Sequence, residues 1–211
     1  MHKVTASIGI FDGVHLGHQK ILKKLVEEAY KQKTTSMVIT FYPHPREVLN
    51  SGSKIPLLTS LAHRLRLIKY LGVDSFFVVK FTKKFARMKA EDFIKKVLID
   101  KLKIKNLIVG GNFLFGYKGK GDLRMLERFG SKYGFRVFCV CPVKIKGKYI
   151  SSTRIRHAIE KGDLKDASAM LGRQVSVSGT VVKGRRFGRK LSFPTANIET
   201  KGELFPKAGV Y

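Results

Sequence analysis

The chain has 211 residues and a formal net charge of +27, from 42 lysines and arginines against 15 aspartates and glutamates. Hydrophobic residues make up 44% and charged residues 27%, ordinary globular usage that argues against chain-wide disorder. Two cysteines exclude a small disulfide-built secreted scaffold, and no apolar run reaches the ~18–20 residues that span a bilayer. The start Met1-His2-Lys3 has no signal-peptide character, so a cytoplasmic protein is expected.

The first half alternates strand and helix signals. Residues 4–10 form a short apolar run, and residues 19–32 carry Ile21, Leu22, Leu25, Val26 and Ala29 at helical spacing. Residues 36–41 read as a second strand, ended by Tyr42-Pro43-His44-Pro45. A helix is predicted over 57–71, with Leu58, Leu61, Leu65 and Ile68 on one face and Gly72 as its stop. Strands over 75–81, 106–109 and 135–143 alternate with helices over 90–102 and 122–133, the last with Asp122 as N-cap. Strands separated by helices imply an α/β fold with a mostly parallel sheet. Residues 152–172 read as two short helices broken at Gly162-Asp163. From Gln174 the texture changes: Val175, Val177 and Val181 alternate with polar residues and glycines follow closely, which is antiparallel or barrel patterning. A boundary near Gly172 divides the chain into residues 1–172 and 173–211.

The charge has two readings, a polyanion such as nucleic acid or a lysine-rich surface around a site for a small anion. The motifs favour the second. Gly9-Ile10-Phe11-Asp12-Gly13-Val14-His15-Leu16-Gly17-His18 joins the first strand to the first helix. In an open parallel sheet, ligands bind at the carboxyl ends of strands, and a helix N-terminus there attracts anions. Gly13 and Gly17 would let the backbone come close to a ligand. His15 and His18 fall on one side of the opening turn, where two imidazoles can donate hydrogen bonds to a phosphate. A second element, Ile150-Ser151-Ser152-Thr153-Arg154-Ile155-Arg156, starts a helix with hydroxyls and places Arg156 one turn after Thr153. Arginine suits bidentate phosphate contact, so the two elements read as opposite walls of one nucleotide pocket. Pro43-His44-Pro45 is a rigid turn at the exit of a strand. The loop 112–122 combines Phe113 and Phe115 with three glycines, a composition that admits a flat ring or simply a surface loop. Cys139 and Cys141 share a strand face and read as reduced core thiols.

These segments together resemble the bacterial bifunctional riboflavin kinase/FAD synthetase family over nearly the whole chain. The residues carrying the resemblance are GIFDGVHLGHQKIL from Gly9, TFYPHPREVL from Thr40, GGNFLFGYKGKGD from Gly110 and ISSTRIR from Ile150. LGR from Leu171 and VSGTVVKGRRFGRKLSFPTAN from Val177 complete the set. The resemblance implies a Rossmann-like HxGH nucleotidyltransferase domain, then the beginning of a β-barrel riboflavin kinase domain. It implies transfer of AMP from ATP to FMN, giving FAD and pyrophosphate with Mg²⁺. His15, His18 and Arg156 would be catalytic, and Gly9, Phe11, Asp12, Gly17, Ser152 and Thr153 would bind ATP. Pro43, His44, Pro45, Asn112 and Phe113 would bind flavin. Gly184, Gly188, Thr195 and Asn197 match the kinase phosphate and magnesium region, with Thr195 and Asn197 as its Mg²⁺ contacts in a complete module. Ser192 replaces a usual glycine of that region, Asn112 stands where many members carry aspartate, and Leu114 where many carry a basic residue.

The chain ends at Tyr211, before the position of the family's kinase carboxylate, so this chain is not expected to phosphorylate riboflavin. The expected partners are small-molecule nucleotides and flavins, with neither specific nucleic acid nor membrane. The alternatives are another HxGH adenylyl- or cytidylyltransferase and, in a different class, a basic nucleic-acid-binding module.

Overall fold

The computed structural model describes residues 3–50, 55–183, 192–193, 195–200 and 202–209. Strands β1 (Val4–Ile8), β2 (Thr35–Tyr42), β3 (Ser75–Lys80), β4 (Ile104–Gly110) and β5 (Arg136–Val140) form one sheet in the order β3-β2-β1-β4-β5. Every pairing is parallel. Between the strands run α1 (Leu16–Lys31), α2 (Pro45–Leu49), α3 (Leu61–Tyr70), α4 (Lys83–Ala86), α5 (Ala90–Asp92) and α6 (Leu123–Tyr133). Helix α5 widens into a π-helix over Phe93–Lys101.

Strand β1 is buried at all five positions, as a central strand covered on both faces must be. Strand alternation then splits the apolar side chains between two cores. Val38 and Ile108 face Leu22 and Leu25 of α1 and Ile68 of α3. Ile39, Leu107 and Val109 face Ile94 and Leu98 of the π-helix and Leu126 of α6. The order of crossovers reverses between β1 and β4, and their carboxyl ends open a crevice there.

After β5 come a short antiparallel ribbon, β6 (Lys144–Ile145) and β7 (Lys148–Tyr149), and the helices α7 (Ser152–Glu160) and α8 (Leu164–Leu171). These helices form a third core in which Ile155, Met170 and Leu171 pack with Leu58. Asp163 caps α8 by accepting from Asp166 N at 2.9 Å, and Gly172 ends it in the left-handed conformation at φ 68°. In the tail, β8 (Gly179–Val182) and β9 (Asn197–Thr200) pair antiparallel. Ser192, read from the family resemblance as standing in place of a glycine, has φ 60°, a region that favours glycine.

The alternating elements form as expected, and Asp122 caps α6 by accepting from Met125 N at 2.8 Å. Four readings change. The helix expected from residue 57 starts at Leu61, because Leu57–Thr59 spend their backbone groups on other segments and Ser60 becomes the cap. The strand expected to reach Val143 ends at Val140, and Lys144–Tyr149 turn back as the ribbon. Val175 and Val177 lie outside regular structure, and pairing begins only at Gly179. Cys139 and Cys141 are exposed rather than core, because β5 is an edge strand. Among the described residues, no helix is long and apolar enough to cross a membrane.

Candidate active site

The crevice at the carboxyl ends of the sheet is a cleft of about 1160 Å³. Single-ligand pockets commonly span ~300–1,000 Å³, so this one has room for two substrates. One wall is the loop from β1 to α1. The other polar wall is the start of α7. The remaining side is rich in phenylalanine, drawn from the end of β2 and the segments after β3 and β4, with Arg46, Lys83, Arg87 and Lys118 among its lining residues.

The β1–α1 loop is strained and buried. Phe11 (φ 55°) and Val14 (φ 41°) both adopt left-handed backbone, and each is 2% exposed. Gly9 is needed because a Cβ there would meet the Phe11 ring at 2.9 Å. Gly13 (φ 81°) and Gly17 serve packing rather than ligand approach. A Cβ on Gly13 would meet Leu58 at 2.7 Å, and one on Gly17 would meet the His15 ring at 3.1 Å. Gly17 therefore makes room for His15 and does not line the cleft.

His15 is the N-cap of α1. Its Nδ1 accepts from His18 N at 3.3 Å, which leaves the proton of the neutral ring on Nε2. The two rings stack with centroids 3.6 Å apart, and Phe11 meets His18 edge-on at 5.3 Å. Burial lowers the His15 pKa to about 4, against the pull of Asp12. Burial also pushes His18 well below the usual range, helped by His15 and Arg64. Both imidazoles are thus neutral near pH 7, hydrogen-bond donors rather than cations. The third histidine at the cleft is built the same way: His44 caps α2, its Nδ1 accepts from Arg46 N at 3.1 Å, and burial lowers it to about 4.

Asp12 is 2% exposed, and its carboxylate is engaged from three sides. It accepts from Leu58 N at 3.2 Å, from Thr59 N at 3.0 Å and from Arg156 Nη2 at 2.5 Å. Arg156 also donates from Nε to Pro56 O at 2.8 Å, which leaves the two Nη1 N–H groups and the second on Nη2 for a ligand. Ser152 Oγ donates to Asp12 O at 3.0 Å, whereas the cap of α7 is Ser151, which accepts from Arg154 N at 3.2 Å. Asp12, read from sequence as an ATP contact, is therefore the tie that fastens the β1–α1 loop to residues 56–59 and α7.

On the aromatic side, Phe113 stacks on Phe115 at 5.6 Å and 11°, and Phe41, Phe81 and Phe85 pack edge-to-face or tilted. Asn112 is exposed at the mouth, and His44 and Pro45 line the cleft while Pro43 does not. Thr153 lines it as well. Thr195 and Asn197 are exposed in the tail, away from the cleft, and Gly184 and Gly188 lie outside the described residues. No group of three or more His, Cys, Asp or Glu side chains able to hold a metal ion occurs among the described residues. Asp12 is the one carboxylate among the described residues that line the cleft, and its oxygens are already engaged.

Sequence reading missed Arg64 and Glu203. Arg64, on α3, is 3% exposed with its Nε unpartnered, and its charge acts on His18 and His44. Its only sequence signal was an arginine beside the apolar face of a helix, which is commonplace.

The sheet order, the crevice at its reversal and the paired imidazoles before α1 define the class, a nucleotidyltransferase-like α/β protein. The FAD synthetase family model matches residues 1–154 and the riboflavin kinase model residues 171–211, and the chain belongs to the FAD synthetase family. It is 38% identical over 207 residues to a bifunctional riboflavin kinase/FMN adenylyltransferase of Buchnera aphidicola subsp. Acyrthosiphon pisum, covering 98% of this chain and 66% of that one. The Escherichia coli K12 protein of the same description is 38% identical over 205 residues, covering 97% and 66%. The chain spans about two thirds of the length of these relatives. A crystal structure described as a macrolide-efflux protein from Streptococcus pneumoniae superposes with a TM-score of 0.85 at 31% identity, covering all of this chain and 68% of that one.

Proposed function

We propose that the cleft transfers AMP from ATP to FMN, releasing pyrophosphate and forming FAD. The observation that carries this reading is the stacked, neutral His15–His18 pair facing the hydroxyl-rich start of α7 across a cleft with an aromatic far side. An oxygen of the FMN phosphate attacks the α-phosphorus of ATP. The α–β phosphoanhydride bond breaks in line, and the electron pair leaves with pyrophosphate. The nucleophile is already an anion near pH 7, so no strong general base is needed, and catalysis rests on positioning and charge stabilisation.

In this reading His15 and His18 donate from Nε2–H to the ATP phosphates, and Ser152, Thr153 and Arg156 Nη1 receive the departing pyrophosphate at the positive end of α7. Neutral imidazoles are well matched to this role, since the His15 proton is held on Nε2 and no charge must be desolvated when ATP enters. Gly9 and Phe11 border the nucleotide. His44, Pro45, Asn112 and Phe113 border the flavin, whose flat ring fits beside stacked phenylalanines. Mg²⁺ accompanies the ATP phosphates as part of the substrate. Residues 1–172 carry this reaction, and residues 173–211 are the beginning of a kinase-like module.

The test is an assay of FMN with Mg–ATP for FAD and pyrophosphate, beside a His18→Ala variant. FAD formation that depends on His18 is expected. Absence of FAD from the unmodified chain, with turnover of another phosphorylated acceptor, would move the reading to a different nucleotidyltransferase.

A further inference from the structure

Only one carboxylate of the tail is buried among the described residues, and its partners lie far from it in sequence. Glu203 is 5% exposed. Its Oε1 accepts from Ser60 N at 2.7 Å, and its Oε2 accepts from Ser178 N at 2.8 Å. His63 Nδ1 lies 3.1 Å and 3.2 Å from the two oxygens. The flanking backbone joins in: Leu57 N donates to Gly202 O at 3.2 Å, and Leu204 N donates to Leu57 O at 2.7 Å. Burial would raise the Glu203 carboxyl, yet the donors from Ser60, Ser178 and His63 hold it below the usual range.

The pattern at Ser60 is a capping box with one part supplied from elsewhere. Ser60 Oγ accepts from His63 N at 3.3 Å, the first half of the box. A glutamate at position 63 would close the second half by accepting from Ser60 N, but that position holds histidine. Glu203 supplies the carboxylate from 143 residues away. This matters because the apolar pattern of Leu58, Leu61, Leu65 and Ile68 favours a helix that begins earlier. With Ser60 capped and Leu57 paired to the tail, residues 57–60 stay out of the helix. The amides of Leu58 and Thr59 are then available to Asp12, Thr59 Oγ1 accepts from Gly13 N at 3.0 Å, and Pro56 O accepts from Arg156.

We infer that Glu203 is a positioning residue for the cleft: by stopping α3 at Ser60, it presents the Leu58 and Thr59 amides that hold Asp12 and, through it, the β1–α1 loop and Arg156. The tail is thus part of the machinery of the N-terminal unit. The kinetic consequence rests on the adenylyl-transfer reading, whereas the structural linkage does not.

The experiment compares the full chain with Glu203→Ala and Glu203→Gln. Phe205→Ser, an exposed neighbour outside the network, is the control. Amide hydrogen exchange without ligand reads peptides covering 57–60 and 11–14. Loss of one buried hydrogen bond shifts local opening by roughly tenfold, so exchange in both peptides should rise by about that factor in Glu203→Ala. Glu203→Gln, which keeps an acceptor for Ser60 N–H, should give a smaller rise in the same two peptides, and Phe205→Ser none. In turnover, the KM for ATP should rise while the KM for FMN holds. Unchanged exchange at 11–14, whether or not 57–60 loosens, overturns the inference, because the tail would then fasten only itself. If the unmodified chain makes no FAD, the functional reading fails, and the exchange data still decide the linkage.

Discussion

The two sides of the cleft are built on opposite principles. On the histidine side, the groups that shape the loop are engaged inside the protein: His15 caps α1, Asp12 ties three segments, and Ser152 bonds back to the loop, while His18 Nδ1 stays buried without a partner among the described residues. On the aromatic side, contacts are ring on ring, and Leu114 and Tyr117 stand exposed at the rim. Hydrogen-bond networks in a dry setting hold one geometry and lose much when one member goes. Ring packing is non-directional and tolerates adjustment. The histidine side should therefore govern rate, and the aromatic side should govern which acceptor binds.

The contrast is most exposed to failure at the imidazoles. His18→Ala should lower kcat for FAD formation by about 10²–10³-fold, the usual loss on removing a positioned donor, with a far smaller change in the KM for FMN. Steady-state kinetics with FMN varied separates the two quantities. Next comes Arg156→Ala, which leaves Asp12 buried without its cation and should cost about 3 kcal/mol in denaturant unfolding. Asp12→Asn tests the same tie from the other end and should also destabilise. On the aromatic side, Phe113→Ala should raise the KM for FMN by about fivefold while leaving the KM for ATP within about twofold, since an aromatic pair contributes roughly 1 kcal/mol. A large fall in kcat for this variant would erase the distinction between the two sides.

The smallest expected effect is on pH. His15 and His44 have folded pKa values of about 4, below their unfolded value of 6.5. The unfolded chain binds more protons between these values, so stability is complete above pH 6.5 and falls as pH drops toward 4. Thermal unfolding followed from about pH 7 to about pH 4.5 should show this decline, and His44→Gln should flatten it. The rate, in contrast, should show no histidine limb at neutral and mildly alkaline pH. Its acid limb should appear near pH ~6, where the acceptor phosphate passes from dianion to monoanion. A limb that disappears in His15→Gln would assign the titration to the enzyme instead.

Much of the architecture was legible because local rules and global needs agreed. The apolar stripe of α1, the Asp122 cap, the break at Gly162-Asp163 and the Gly172 stop each act within a few residues of themselves. The candidate site was legible as a composition: His15, His18, Ser152, Thr153, Arg156, His44 and Phe113 do converge on one cleft. The internal duties of Gly13, Gly17 and Asp12 were not legible, because they depend on what packs against them. A glycine that clears a histidine ring reads the same as one that clears a phosphate.

Element order, the placement of a two-histidine turn at a strand end and the family all follow from the amino-acid order alone, because periodicity, caps and motif spacing are properties of neighbouring residues. The folded chain alone reveals that Asp12 is a tie, that Arg64 lies buried with its charge acting on the histidines, that the cysteines are exposed and that Glu203 accepts from the amide of the α3 cap, Ser60. Each of these rests on groups brought together across 46 to 144 positions or on the edge of a sheet, and no local pattern records which distant donor a buried carboxylate will meet. The +27 charge of the whole chain divides in the same way. Its size was plain from composition, but only the fold separates Arg64 and Arg156, buried at the site, from the lysines that remain in water.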